Sequence, residues 1–472
     1  MLTQALGRIH TRECGAPGDA LSAFARFERD GQPFLLESGM IVEGLGRYSF
    51  MGSRPFVTIT SIGRRVDLRW ADGRVERRRA DPFLVLRELL RRFEAEGDCP
   101  VPFATGAVGY FGYDLCHHIE RLPASTLDDI GLPELYLAFY DRLVAVDAVA
   151  RRCYLIATDL GEGPRNAQWK LDELEEKLCN ASAAGAEKPS AAPVAEMGCN
   201  FTRDGYLRAV QRAIAYIAAG DIFQVNLSQR FHARMSSTPL ELYRRLRAIN
   251  PAPMGGFLQF GDSAVVSASP ELFLRVRGRN VETRPIKGTR PRGRNGAEDD
   301  RMRNELLASA KDTAELTMIV DLERNDLGRV CEYGSVRVTQ ARALETYPTV
   351  FHLAATVEGR LHPRHDIGDL LRASFPGGSI TGAPKIRAMQ IIAELEPTRR
   401  SAYTGSMGYI GFNGNADLNI IIRTFLVKRR DAWFQTGGGI VADSEPEAEY
   451  NETLDKARAL MRAVGATEAD LG

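Results

Sequence analysis

Short β-type runs punctuated by glycine recur in both halves of the chain, and they restrict it to a sheet-rich fold with helices laid against the sheets. Phe34–Ser38, Pro55–Thr60 and Arg65–Trp70 read as strands, with Ala71-Asp72-Gly73-Arg74 as a hairpin turn. Asp81 and Pro82 then open an amphipathic helix through Phe93, and strand-like runs return at 105–113 and 142–158 before a charged helix over 166–178. Residues 181–196 are rich in Ala, Pro and Ser and hold no large apolar side chain except Val194, so they read as a linker or exposed loop. The expected organisation is therefore a β-rich unit over 1–180, a linker over 181–199 and a second unit over 200–466. In the second unit a helix over 204–219 precedes strands at 224–231, 256–260, 264–268 and 272–277. A long helical run over roughly 297–319 follows, ending near 321–328. Strands at 335–341, 351–359, 405–412, 418–428 and 433–440 then alternate with helices at 367–374, 384–395 and 447–464. The class is α+β with large antiparallel sheets.

Bulk properties exclude several functions. The 61 Lys and Arg balance the 61 Asp and Glu, so no net charge draws the molecule to nucleic acid or to an anionic membrane. The 7 scattered cysteines contain no C-x-x-C, which argues against a disulfide framework and a structural zinc site. No apolar run reaches the length of a membrane span, and Met1–Gly15 does not read as a signal peptide, so the expected compartment is the cytoplasm.

The stretch richest in chemistry is Arg284-Pro285-Ile286-Lys287-Gly288-Thr289-Arg290-Pro291-Arg292-Gly293-Arg294. Its lone lysine is read either as part of a solvated basic loop or as an amine that neighbouring positive charge and burial hold neutral and nucleophilic. Glu271, in Ser269-Pro270-Glu271, starts a strand among apolar residues and reads as an exposed edge acid or as a carboxyl of raised pKa suited to general acid work. Phe375–Lys385, containing Thr381 and Gly382, is a glycine-rich loop opening a helix with Pro384 at its first position. Backbone N–H groups there suit a carboxylate or phosphate. The loop lacks the Lys-Ser/Thr of an ATP-binding loop. Gly437-Gly438-Gly439 reads as a second such loop. Asp312 with Glu315, and Glu449 with Glu452, are acid pairs each on one helical face. They are either solvated surface or, if the faces meet, a hard oxygen site for Mg²⁺. His352 is a core histidine or a substrate contact. Arg423, inside the apolar run 420–424, needs a partner that a substrate carboxylate would supply.

These stretches, together with Asp221-Ile222-Phe223-Gln224, Val320–Asp326 and Glu449–Lys456, resemble in order the chorismate-utilising enzymes. That family includes the large subunits of anthranilate synthase and aminodeoxychorismate synthase, the isochorismate synthases and the salicylate synthases. The resemblance implies an anthranilate synthase large-subunit-like fold, two stacked antiparallel β-sheets flanked by helices. It also implies Mg²⁺ on Glu315 and Glu452, with Asp312 and Glu449 in support. Chorismate contacts would come from Gln224, Thr289, His352, Thr381, Gly382, Tyr403, Arg423, Gly437, Gly438, Gly439 and Lys456. Within the family, Pro-Ile-Lys-Gly-Thr resembles aminodeoxychorismate synthase, in which the lysine is the nucleophile, whereas anthranilate synthases usually carry Pro-Ile-Ala-Gly-Thr. Members that activate water typically have a lysine where this chain has Gln224. The resemblance thus implies conversion of chorismate and ammonia to 4-amino-4-deoxychorismate, on the route to 4-aminobenzoate and folate, with Lys287 and Glu271 catalytic. No amidotransferase segment is read in the sequence, so a glutamine amidotransferase subunit is the expected ammonia source. The alternatives are anthranilate synthase and a non-catalytic regulatory protein that binds an aromatic ligand. Leu35-Leu36-Glu37-Ser38 resembles the start of the tryptophan-holding region of relatives. Together with Pro253 it marks a possible tryptophan pocket, although Asn250-Pro251-Ala252-Pro253-Met254-Gly255 departs from the Asn-Pro-Ser-Pro-Tyr-Met of feedback-inhibited relatives.

Overall fold

The structure, a computed structural model, describes residues 6–15, 18–42, 44–123, 126–161, 163–179, 197–347 and 350–471. Two large sheets of 13 and 12 strands dominate it, and the pairing is antiparallel except where Gly7–Cys14 meets Ala95–Glu96. The α+β expectation holds, but the sheets do not follow the expected division at 181–199. In the first sheet Met254–Phe260 pairs with Phe34–Glu37, and in the second Ser406–Gly411 pairs with Gly106–Phe111. Each sheet is thus built from both halves of the chain, because those edges hold unpaired N–H and C=O groups that only the other half can satisfy. Residues 181–196 of the expected linker lie outside the described residues, and Met197–Cys199 is already a strand.

The inner faces of the sheets share one core. Phe50 of the first sheet meets Tyr409 of the second at 5.5 Å between ring centroids, and Phe260 stacks on Tyr136 at 4.3 Å. The helices Pro164–Cys179, Pro239–Ile249 and Pro446–Val464 cover the outer face of the first sheet, and Arg203–Ala218 and Lys385–Leu395 pack over Gln224–Arg234. Asp81 caps Pro82–Arg92, accepting from the N–H of Phe83 at 3.0 Å as its position before proline predicts.

Four local expectations are corrected. The long helical run breaks at Ser309 into Gly296–Ala308 and Ala310–Gly328. Ser309 accepts from the N–H of Asp312, so a strong N-capping residue starts a second helix where apolar spacing alone suggests continuation. The run 418–428 is two strands, Ala416–Ile420 and Thr424–Lys428, with Arg423 in the left-handed region at φ 51° between them. Gly437-Gly438-Gly439 is not a loop but the end of the strand Asp431–Ile440, paired with Ser228, Leu227 and Asn226. In the first glycine-rich stretch, Pro384 caps the helix Lys385–Leu395 and does not open it.

Candidate active site

Four elements converge around Lys287. It lies half-buried on the strand Ile286–Pro291, opposite Leu353 of Val350–Arg360. Burial lowers its pKa below the usual lysine value, the charge of Lys456 acts in the same direction, and Glu315, Glu271 and Glu452 oppose it. The amine makes no hydrogen bond or ion pair with any described residue. The direction matches the sequence reading, and so does burial, one of the two expected causes; the other, the charge of the neighbouring arginines, does not act. The neighbouring arginines are engaged elsewhere: Arg284 with Glu345 at 2.7 Å, Arg290 with Asp312 at 3.1 Å, Arg292 with Asp299 at 2.6 Å and Arg294 with Glu298 at 3.2 Å.

Glu271 is buried at the start of Leu272–Arg277, and burial raises its pKa while the nearby Ser379 hydroxyl and the charge of Lys287 restrain the rise. The Ile286 N–H donates weakly to it at 3.4 Å. The acid and the amine therefore share one site, each held partly in its uncharged form by burial.

The acid pairs take the positions their spacing implies. Asp312 and Glu315 lie in the first turns of Ala310–Gly328, and Glu449 and Glu452 in those of Pro446–Val464. Glu315 feels the negative charge of Glu452 across the gap, and burial raises the pKa of both Glu315 and Glu449. Glu449 accepts from Ser444 at 2.6 Å through one oxygen, while its other oxygen is buried with no partner. Gly438 makes this approach possible, since a Cβ there would stand 3.0 Å from Glu449 Oε2 and 3.5 Å from Glu452 Oε1. Carboxylates with a free buried oxygen suit a hard cation such as Mg²⁺. Among the described residues, however, no three acidic, His or Cys side chains come close enough to hold a metal as they stand. Lys456 donates to Glu452 at 2.6 Å and to the Gly437 carbonyl at 2.9 Å.

Around this centre, polar groups are buried without partners. Gln224 is almost fully buried with Oε1 unsatisfied, and its Nε2 occupies space that a Cβ at Gly439 would fill. His352 bonds Thr289 Oγ1 through Nδ1 at 2.9 Å and leaves Nε2 buried and free. Burial, and then the charge of Arg423, push its pKa down to about 3, so it is a neutral imidazole. Orphaned atoms of this kind cost about 1–3 kcal/mol each. Their concentration beside Lys287 is what a polar ligand would relieve. Arg423 has no carboxylate partner among the described residues, only Asn250 Oδ1 at 3.4 Å. Tyr403 lies buried against Ser228 and Asn226. The hydroxyl of Thr381 turns back onto the carbonyl of Gly377 at 2.9 Å, so it serves the loop. Gly382, at φ 140°, pairs with Val225 beside Gln224.

Glu37, Ser38 and Pro253 are not part of this centre. They border a separate cavity of about 730 Å³ between the sheets, with Tyr48, Phe50, Met407 and Tyr409. The Glu37 carboxylate is already taken up by the Tyr243 hydroxyl at 2.6 Å and by Arg247 at 2.8 Å.

Ser379, whose hydroxyl acts on Glu271, and Lys311, whose charge acts on Glu315, Glu449 and Glu452, also face the site and carry no signal in the sequence reading. Alternation in Gln224-Val225-Asn226-Leu227-Ser228, polar side chains on one face of a buried strand, is the signal that marks that face as a site wall.

Residues 47–462 match the family described as chorismate binding enzyme. Aminodeoxychorismate synthase component 1 of Bacillus subtilis (strain 168) is 40% identical over 433 residues, 90% of this chain and 91% of that protein. Anthranilate synthase component 1 of Thermus thermophilus is 44% identical over 428 residues, 89% and 91% of the two chains. The crystal structure of anthranilate synthase component I from Streptococcus pneumoniae TIGR4 superposes with a TM-score of 0.80 at 34% identity, covering 90% of this chain and 94% of that one.

Proposed function

The chain belongs to the chorismate binding enzymes, among the anthranilate and aminodeoxychorismate synthases, and within that group we propose that it is the large component of an aminodeoxychorismate synthase. The observation that carries this reading is Lys287: an unpaired amine of lowered pKa beside a buried acid. A neutral amine there is a nucleophile, and a protonated Glu271 is a proton donor.

In the proposed reaction Lys287 Nζ bonds to C2 of chorismate as both ring double bonds shift, C1=C2 to C1=C6 and C5=C6 to C4=C5, and the C4–O bond breaks. Glu271 gives its proton to the departing hydroxyl, which leaves as water. Ammonia then adds at C4, both double bonds shift back and the C2–N bond to Lys287 breaks, and the new C4 ammonium returns a proton to Glu271, giving 4-amino-4-deoxychorismate and restoring the amine and the acid. One difficult displacement becomes two easier ones. Arg423, Tyr403 and the backbone of Gly382 and Gly437–Gly439 hold the substrate's carboxylates. Gln224 and His352 offer their free atoms to its polar groups, and Thr289 keeps His352 in one orientation. Glu315 and Glu452, supported by Asp312 and Glu449, would hold Mg²⁺, which neutralises a substrate carboxylate when bound. The ammonia comes from a glutamine amidotransferase subunit, in keeping with relatives named as component 1.

The second reading, anthranilate synthase, is favoured by the 44% identity to the Thermus thermophilus protein. Mass spectrometry of the products from chorismate, Mg²⁺ and an ammonium salt separates the two. Aminodeoxychorismate supports the proposal, and anthranilate with pyruvate sinks it.

A further inference from the structure

His352, on the strand Val350–Arg360, stands opposite Thr289 of Ile286–Pro291 on one side and opposite Glu345 of Arg337–Thr346 on the other. Directly opposed residues of antiparallel strands point to the same face, so Thr289, His352 and Glu345 form one row across three strands. Thr289 holds the imidazole through Nδ1 at 2.9 Å. Glu345 has other partners: one oxygen lies 2.7 Å from Arg284 Nη2, and the other accepts from the Tyr347 hydroxyl at 3.0 Å. The Tyr347 ring in turn meets the imidazole edge-on, with centroids 5.0 Å apart and planes at 79°. The main chain of Tyr347 is fixed as well, since its N–H donates to the Val350 carbonyl at 2.8 Å and its carbonyl accepts from Arg292 Nη1 at 3.0 Å. Arg292 is itself braced by Asp299 and lies 4.8 Å over the Phe351 ring. Two arginines from either side of Lys287 therefore grip one buried tyrosine, Arg284 through Glu345 and Arg292 directly.

We propose that Tyr347 is a positioning residue for the reaction: anchored through its hydroxyl to the Arg284–Glu345 pair, its ring keeps His352 on Thr289 and so keeps Nε2 turned to the substrate. The inference rests on the assignment of His352 as a substrate contact. A buried ion pair adds little net stability over an apolar pair of the same volume, and what this one supplies is a fixed acceptor for the Tyr347 hydroxyl. Thr289 alone leaves the imidazole free to swing about a single bond, and the tyrosine ring removes that freedom. Because His352 is neutral and offers a hydrogen bond, the effect falls on substrate affinity and not on proton transfer.

The test is a double-mutant cycle on chorismate consumption, with Tyr347→Leu and Tyr347→Phe each made in wild type and in His352→Asn. Tyr347→Leu removes ring and hydroxyl, so KM rises about tenfold, the effect of losing one hydrogen bond, while kcat changes less than about threefold. Tyr347→Phe keeps the ring but frees it from Glu345, and KM rises about threefold. In His352→Asn neither substitution raises KM further, because the group they position is gone. A rise that is the same in both backgrounds, or a loss that falls on kcat, overturns the inference, since a tyrosine that only fills space acts without His352. A KM that His352→Asn leaves unchanged overturns it too. If Tyr347→Leu does not fold, Tyr347→Phe carries the same comparison, and an unchanged KM there refutes the proposal. Product identity, measured in the same reactions, decides the functional reading separately. If wild type consumes no chorismate, that reading fails and ¹⁵N NMR of histidine-labelled protein still decides the inference. The His352 signals, identified among the 7 histidines by their loss in His352→Asn, show a single tautomer in wild type and draw together in the Tyr347 variant as the two tautomers average. Unmoved signals overturn the inference.

Discussion

Replacing Arg400 by methionine tests whether the wall behind the active site depends on one buried ion pair. Arg400 donates to Glu396 through Nε at 2.9 Å and Nη2 at 2.7 Å, to the carbonyls of Asn226 at 2.7 Å and Ile380 at 3.0 Å, and to Thr404 Oγ1 at 3.3 Å. It ties the helix Lys385–Leu395, through Glu396 just beyond its end, to the glycine-rich stretch and to the strand that carries Gln224. The pair's side chains are 1% exposed. Without Arg400, Glu396 Oε1 keeps the N–H and hydroxyl of Ser228 at 2.9 and 2.6 Å, but Oε2 is left with no donor. Breaking a buried pair from one side costs about 3–5 kcal/mol, mostly from the stranded charge. At about 2.1 cal/mol/K per residue the unfolding entropy of a chain this long is roughly 1 kcal/mol/K, so Tm should fall by about 3–5 °C in one cooperative transition. Differential scanning calorimetry measures it directly. The double variant Arg400→Met with Glu396→Gln removes the stranded charge and should recover more than half of the loss. A single variant within about 1 °C of wild type, or a double variant with no recovery, refutes the reasoning.

Other outcomes follow from the same geometry. Gly382→Ala should cost about 3 kcal/mol or more and abolish most activity, because φ is 140° and the new Cβ would stand 2.2 Å from the Gln224 carbonyl oxygen; denaturant unfolding with a parallel rate measurement checks both. His352→Asn should raise KM without removing a limb from the pH profile between about pH 5 and 9, since burial keeps the imidazole neutral there with a pKa of about 3; loss of a limb near pH 6 would contradict it. Chelation should stop turnover and added Mg²⁺ should restore it, while Glu315→Gln raises the Mg²⁺ concentration needed at least about tenfold; activity that survives chelation would remove the metal from the account.

Several features were legible because one residue type suffices to signal them. Asp81 before Pro82 marks a helix start, and the spacing of Asp312 with Glu315 and of Glu449 with Glu452 places each pair on one helical face. Long-range pairing was less legible. The crossing of both sheets between halves depends on strands more than 200 residues apart, such as Glu37 and Gly255, and local pattern does not encode register. Gly437–Gly439 reads as a loop from composition, but the glycines sit in a strand because Glu449, Glu452 and Gln224 need the space that side chains would take. The reading of Lys287 holds for its direction and for burial as a cause but not for the arginines, which acids distant in sequence neutralise. Glu323 lies within the run Val320–Asp326, yet the N–H it accepts from belongs to Gly378, 55 residues away.

The central claim is that Lys287 is a covalent nucleophile, and rapid-quench peptide mass spectrometry tests it most directly. Wild type and Lys287→Ala are mixed with chorismate, Mg²⁺ and ammonium, and the peptide containing residue 287 is weighed alongside the products. The account predicts a transient adduct on the Lys287 peptide of wild type, and neither adduct nor appreciable aminodeoxychorismate from Lys287→Ala. Turnover by Lys287→Ala at close to the wild-type rate, with no adduct on either protein, would contradict it.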